Sequence, residues 1–141
     1  MGGRKILVLL CLAMLFVALT GCRSQILDGD GMERSYFQIS QEEAAEMMQK
    51  DDGHLIVDVR TREEYARSHI PGAICLPNEE IGNTQPEALP DLDQTLLVYC
   101  RSGRRSKEAA QKLFDIGYTN VYEFGGIIDW TGDLVSGEET E

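Results

Sequence analysis

Thr95 to Gly117 reads TLLVYCRSGRRSKEAAQKLFDIG, and three kinds of chain follow one another within it. TLLVYC is a short apolar run of the kind that forms a strand buried on both faces. CRSGRRS is polar and basic, and its glycine allows a tight turn. From Ser106 onward the apolar residues fall at Ala109, Ala110, Leu113, Phe114 and Ile116, one face of a helix, and Gly117 stands in the place of a C-terminal cap. A buried strand that runs through a short loop into a helix is the unit from which parallel sheets are built.

The same alternation continues on either side. Ser40-Gln41-Glu42-Glu43 and Thr61-Arg62-Glu63-Glu64 are capping boxes. The first predicts a helix with Ala44, Ala45, Met47 and Met48 on its inner side, ending near Asp51 to Gly53. His54–Val59 (HLIVDV) and Ala73–Leu76 read as further strands, and Val121–Phe124 as the last, before Gly125-Gly126 and a short helix through Trp130. The expectation is an α/β fold: a mostly parallel sheet of about five strands with helices on both faces, joined by right-handed crossovers.

A chain of 141 residues, 43% hydrophobic, is long enough for one such domain and too short for two. Four cysteines are too few for a scaffold of bridges. Thirteen basic against 24 acidic residues give a formal charge of −11, which argues against a nucleic-acid partner, since that affinity comes mainly from neutralising phosphates. With no CxxC or Cys/His cluster and only His54 and His69, no metal site is expected.

The front of the chain differs. Arg4 and Lys5 precede the uncharged run Ile6–Leu19, and Thr20-Gly21-Cys22 follow. Fourteen apolar residues make a helix of about 21 Å, short of the roughly 30 Å hydrocarbon core of a bilayer. The pattern is that of a signal peptide. Leu19-Thr20-Gly21-Cys22 resembles the lipobox of bacterial lipoproteins, which implies cleavage of residues 1–21 and lipidation of Cys22. Ordinary secretory cleavage near Ala18 to Gly21 is the competing reading. Loss of 1–21 removes Arg4 and Lys5 and no acid, leaving 11 basic against 24 acidic side chains. Attachment to a membrane would then be through lipid and not through a basic patch. Residues 22–35 read as a tether, 36–135 as the domain and 136–141 as an acidic tail. The protein is expected in the bacterial envelope as an extracytoplasmic, membrane-anchored lipoprotein, and as a monomer.

In a parallel α/β sheet the ligand sits beyond the carboxyl ends of the strands, where loops enter helix N-termini, and Cys100 falls there. A loop wrapped at a helix N-terminus aims backbone N–H groups at its centre, and Gly103 permits the turn. The helix end and Arg101, Arg104 and Arg105 are all expected to favour thiolate over thiol, making Cys100 a nucleophile at the floor of an anion cradle. A buried structural cysteine beside a solvated basic turn would leave three arginines in six residues unexplained. Asp58 and Arg60 are expected to support the loop as part of a polar network. His69 is read as fixing the turn before Pro71, Trp130 as packing, and Cys75 as a small core residue.

These residues resemble the rhodanese-homology family, single-domain sulfurtransferases that carry sulfane sulfur as a cysteine persulfide. Asp58-Val59-Arg60 with Glu63-Glu64-Tyr65, His69-Ile70-Pro71-Gly72-Ala73, Cys100-Arg101-Ser102-Gly103-Arg104-Arg105-Ser106, and Gly125-Gly126-Ile127 with Trp130 follow that family's pattern in order, over roughly 36–132. The resemblance implies Cys100 as sulfur acceptor and the loop from Arg101 through Ser102, Gly103 and Arg104 to Arg105 as the substrate-binding cradle. Arg101 and Arg105 would meet a small anionic donor such as thiosulfate or a polysulfide, and a thiol or cyanide-like acceptor would take the sulfur. No cofactor is implied. Two other readings stay open. Cysteine phosphatases and arsenate reductases of related architecture separate their cysteine and arginine by five residues, where Cys100 and Arg105 are separated by four. A lipoprotein that uses the domain only for binding is the third.

Overall fold

The computed structural model describes residues 35–137. The chain divides between Arg34 and Ser35. The expected signal peptide, lipidation at Cys22, the tether up to Arg34 and positions 138–141 of the acidic tail lie outside the described residues.

Strands and helices follow one another as β1 Phe37–Gln38, α1 Gln41–Met48, β2 Leu55–Asp58, α2 Arg62–Arg67, β3 Ala73–Cys75, β4 Thr95–Cys100, α3 Arg104–Ile116 and β5 Asn120–Gly126, with a 3-10 turn, Asn78–Glu80, in place of a helix between β3 and β4. Both capping boxes form. The Ser40 and Thr61 hydroxyls accept from the Glu43 and Glu64 amides, and each glutamate side chain accepts from the cap's own N–H. The five strands are parallel in the order β1-β5-β4-β2-β3. The chain steps one way from β2 through α2 to β3 and the opposite way from β4 through α3 to β5. Crossovers of one hand taken in opposite directions put their helices on opposite faces.

The core records this. Along β4, Leu96, Val98 and Cys100 point to the face covered by Ala109, Ala110 and Leu113 of α3. Leu97 and Tyr99 point to the other, with Ala44 of α1, Tyr65 of α2 and Phe124. All five of these β4 side chains are at most 1% exposed, which is why TLLVYC shows no polar alternation.

Two expectations need correction, and one strand has no counterpart in the sequence reading. β1 is two residues long, both exposed at the sheet edge, and its register comes from pairing Phe37 with Tyr122. The helix expected from Ser106 begins at Arg104, because Gly103, at φ +98°, already turns the chain into it. The helix expected through Trp130 is a single 3-10 turn, Ile127–Asp129.

Beside Cys100 the ladder between β4 and β5 is irregular. Val98 pairs with Glu123 and Cys100 with Gly126, so β5 carries one extra residue. The bulge presses β5 against the loop. A Cβ on Gly126 would stand 2.2 Å from the Arg101 carbonyl oxygen and 2.6 Å from Ser102 Cα, both backbone atoms. Gly126→Ala is therefore expected to destabilise the fold by about 1–3 kcal/mol, since the loop must shift to admit the methyl. Gly82→Ala, whose added methyl meets nothing within 4 Å, should stay within about 0.5 kcal/mol by the same urea denaturation measurement.

Candidate active site

Cys100 ends β4 at the boundary of two structural rules: its backbone belongs to the sheet, and its side chain lies under the N-terminus of α3. The Gly103 N–H donates to Cys100 Sγ at 3.0 Å, and Ser106 Oγ lies 3.4 Å from the same sulfur. Burial pushes the thiol up, but hydrogen bonding with the Ser106 side chain and with the Ser106, Gly103 and Ser102 amides outweighs it, and the Cys100 pKa falls below its ordinary value. The arrangement is a buried thiol among the amides of its loop, of which Ser102 is exposed.

The helix end, the loop amides and all three arginines are expected to favour the thiolate, and at Cys100 the hydrogen bonds of the loop are what lower the pKa. Arg104 is exposed and lies 3.7 Å from Glu108, one turn along α3. Arg101 is exposed, and its carbonyl accepts from Ile128 N–H at 3.2 Å. Arg105 stays at the site and feels the charge of the Cys100 sulfur, but its guanidinium is held by Glu64 in two hydrogen bonds of 2.7 and 2.9 Å. Glu64 thus both closes the α2 capping box and binds the first turn of α3.

Asp58 and Arg60 form a buried ion pair with a shortest distance of 2.6 Å. Asp58 also accepts from Tyr99 Oη at 2.7 Å, and Arg60 donates to the Ser68 carbonyl at 2.7 Å. Burial pushes the Tyr99 phenol far up, so it stays a neutral donor. His69 bridges Val135 through paired backbone hydrogen bonds, stacks on Tyr65 at 3.7 Å and has Nδ1 2.9 Å from the Tyr65 carbonyl, so it braces the turn and is remote in role from the sulfur. Trp130 packs on Phe124 at 5.9 Å. Cys75 packs on the opposite face of the sheet from Cys100. Among the described residues no group of three or more His, Cys, Asp or Glu side chains is placed to hold a metal ion.

The sequence reading missed Glu64, Tyr99, Ser106 and Glu123. Ser106 donates to Glu123 Oε1 at 2.6 Å, and that carboxylate, 3% exposed, also accepts from Gly125 N–H at 2.9 Å. Strand alternation from Val121 carries the signal for Glu123, since residues two apart share a face.

A family model described as a rhodanese-like domain matches residues 40–133. Thiosulfate sulfurtransferase PspE of Escherichia coli K12 is 40% identical over 81 residues, covering 57% of this chain and 78% of that protein. Thiosulfate sulfurtransferase GlpE of Haemophilus influenzae PittEE is 37% identical over 97 residues, 68% of this chain and 89% of that one. A solved structure described as a rhodanese with anions from E. coli aligns at a TM-score of 0.53 with 38% identity, over 60% of this chain and 99% of its own.

The Glu64–Arg105 pair makes a pH prediction. Arg105 hydrogen bonds, working against burial, hold the Glu64 carboxyl down from 4.5 to about 2. A carboxyl whose folded value lies below its unfolded value contributes stability above the unfolded value and loses it as pH falls toward the folded one. Between about pH 4.5 and about pH 2, the wild-type denaturation midpoint should therefore fall more steeply than that of Glu64→Gln, which has no proton to take up. Equal slopes would mean the pair adds nothing to stability.

Proposed function

The chain belongs to the rhodanese-like domain family, and from that premise we propose that it is a sulfurtransferase whose Cys100 carries sulfane sulfur as a persulfide. The observation that carries the reading is Cys100 Sγ at the floor of its loop with the Gly103 N–H aimed at it from 3.0 Å. A thiolate so held attacks the outer sulfur of a small anionic donor. With thiosulfate, the new bond joins Cys100 Sγ to that outer sulfur, the donor's sulfur–sulfur bond breaks, and sulfite departs with the bonding pair. The terminal sulfur of the persulfide then carries the negative charge, among loop amides that a single sulfur atom fits. A thiol or cyanide-like acceptor attacks this terminal sulfur, and the Cys100 thiolate leaves. The chemistry calls for no cofactor.

Two features favour this over phosphoryl transfer. Four residues between Cys100 and Arg105 make a small ring, while a phosphoryl group presents three equatorial oxygens that each want a donor. Arg105, the one arginine held at the site, already has its guanidinium bound by Glu64.

Mass spectrometry under non-reducing conditions after thiosulfate treatment should find an adduct of about 32 Da on Cys100, the persulfide mass. Cys100→Ser should abolish both the adduct and thiosulfate:cyanide transfer, and the wild type should not turn over an aryl phosphate. Aryl phosphatase turnover lost in Cys100→Ser, without sulfur transfer, would make the protein a phosphatase. Neither activity and no adduct would leave a binding module.

The sequence also supports a place for this chemistry. We propose that Cys22 is lipidated and holds a monomeric domain at an extracytoplasmic membrane surface. Cys22→Ser should move the protein from the membrane to the soluble fraction with sulfur transfer intact. Retention of a leader-cleaved Cys22→Ser protein in membranes would refute the anchor.

A further inference from the structure

Arg105 is the arginine that the fold brings to Cys100, and it arrives already occupied. Glu64 takes both ends of its guanidinium, one carboxylate oxygen accepting from Nη1 at 2.7 Å and the other from Nη2 at 2.9 Å. That fork is the shape with which a guanidinium grips an anion, so Glu64 sits where the oxygens of an anionic ligand would sit. The pair is partly withdrawn from water, with the Arg105 side chain 16% and the Glu64 side chain 26% exposed. Its two charges therefore cancel each other with little help from solvent.

The other charges near the sulfur do not restore what Glu64 removes. Arg60 is bound to Asp58, and both are buried. Glu79, whose charge Arg105 also feels, is exposed and adds a further carboxylate. Arg101 is exposed, and the Arg104 side chain is 77% exposed, so water screens both. The two sheltered guanidinium groups each have a carboxylate of their own.

Such a site treats two kinds of sulfur donor differently. Thiosulfate brings two negative charges to the Cys100 thiolate, and its leaving group, sulfite, takes the bonding pair and both charges away. With Arg105 neutralised, repulsion between donor and thiolate is opposed only by the loop amides and by arginines in water. An organic persulfide, R–S–SH, brings no charge on its outer sulfur. The new bond joins Cys100 Sγ to that sulfur, the donor's own sulfur–sulfur bond breaks, and R–S⁻ departs with the pair and a single charge. The proton stays on the transferred sulfur.

We propose that Glu64 sets the choice of donor at Cys100: by holding Arg105 as a neutral pair it puts thiosulfate at a disadvantage and leaves organic persulfides as the favoured donors. Glu64 is a positioning residue, since it acts through Arg105 and touches neither donor nor sulfur. The inference rests on Cys100 as the sulfur acceptor.

The test is the second-order rate constant with which each donor loads sulfur onto Cys100 in the reduced full chain at neutral pH, read by mass spectrometry of quenched samples. The donors are thiosulfate and the persulfide of 2-mercaptoethanol, whose organic part is uncharged. Their ratio within one preparation does not depend on the fraction of protein that is folded. Glu64→Gln keeps the capping-box pattern, which accepts glutamine in that place, but loses the charge and one acceptor oxygen. The ratio of thiosulfate to persulfide loading should rise about tenfold in this variant. The gain should shrink as ionic strength goes from about 0.01 M to about 0.1 M. Glu79→Gln removes an exposed carboxylate that makes no hydrogen bond to Arg105, and should move the ratio less than about twofold.

An unchanged ratio in Glu64→Gln overturns the proposal. A lower one does so too, and would make Glu64 the bracket that aims Arg105 at thiosulfate. An equal rise in Glu79→Gln would reduce the effect to surface charge and overturn it as well. One measurement needs no variant: sulfate, an unreactive dianion, should slow iodoacetamide alkylation of wild-type Cys100 no more than chloride at equal ionic strength. Specific protection by sulfate would show Arg105 open to dianions and overturn the proposal. No Cys100 adduct from either donor would refute the sulfurtransferase reading itself, whereas an adduct with an unmoved ratio refutes only the part assigned to Glu64.

Discussion

The Gly103 N–H reaches Cys100 Sγ because only three residues, 101–103, separate the end of a buried strand from the first turn of a helix. A longer loop would carry its amides away from the sulfur, and a strand ending one residue earlier would turn the side chain to the other face of the sheet. Much of the molecule can be understood as holding that spacing. β4 is fixed by β2 and β5 on either side, α3 is fixed by Leu113, Ala109 and Ala110 against the sheet, and the bulge in β5 closes on the loop from beside it. Under the proposed chemistry the amides then stabilise the thiolate without moving, which is where a rigid scaffold has its catalytic use.

The support comes from both faces of the sheet. Cys100 faces α3, while its neighbour Tyr99 faces α1 and α2 and donates to Asp58, which in turn holds Arg60. Adjacent residues of one strand thus anchor the site from opposite sides. The two helices on opposite faces are joined as well, by the Glu64–Arg105 pair at the carboxyl end of the sheet. The result is a thiol whose surroundings are fixed by buried polar bonds, although buried ion pairs of this sort add little net stability over apolar packing.

What could be read beforehand follows the range of the forces involved. Capping boxes, apolar strands and the Gly117 stop are local, and Ser40, Thr61 and TLLVYC announced them directly. Cys100 was legible for the same reason, since strand, glycine turn and helix lie within a dozen residues. The partners of the arginines were not. Glu64 is 41 residues from Arg105, and inside a capping box it already had a sufficient local role. Glu123 falls inside the expected strand Val121–Phe124 with no role of its own, because nothing local says that a helix will cover it. β1 is specified by its neighbour β5 and hardly at all by its own residues.

Cys75 and Cys100 project from the sheet in opposite directions, into separate cores. The sheet is a partition between the two thiols, and an internal bridge between them would require the strands to come apart. Under the proposed chemistry a sulfur lodged on Cys100 is therefore safe from capture by the Cys75 thiol. Its residence time belongs to the surroundings: the sulfur stays until a molecule from outside comes to fetch it, and the domain acts as a store as much as a conduit.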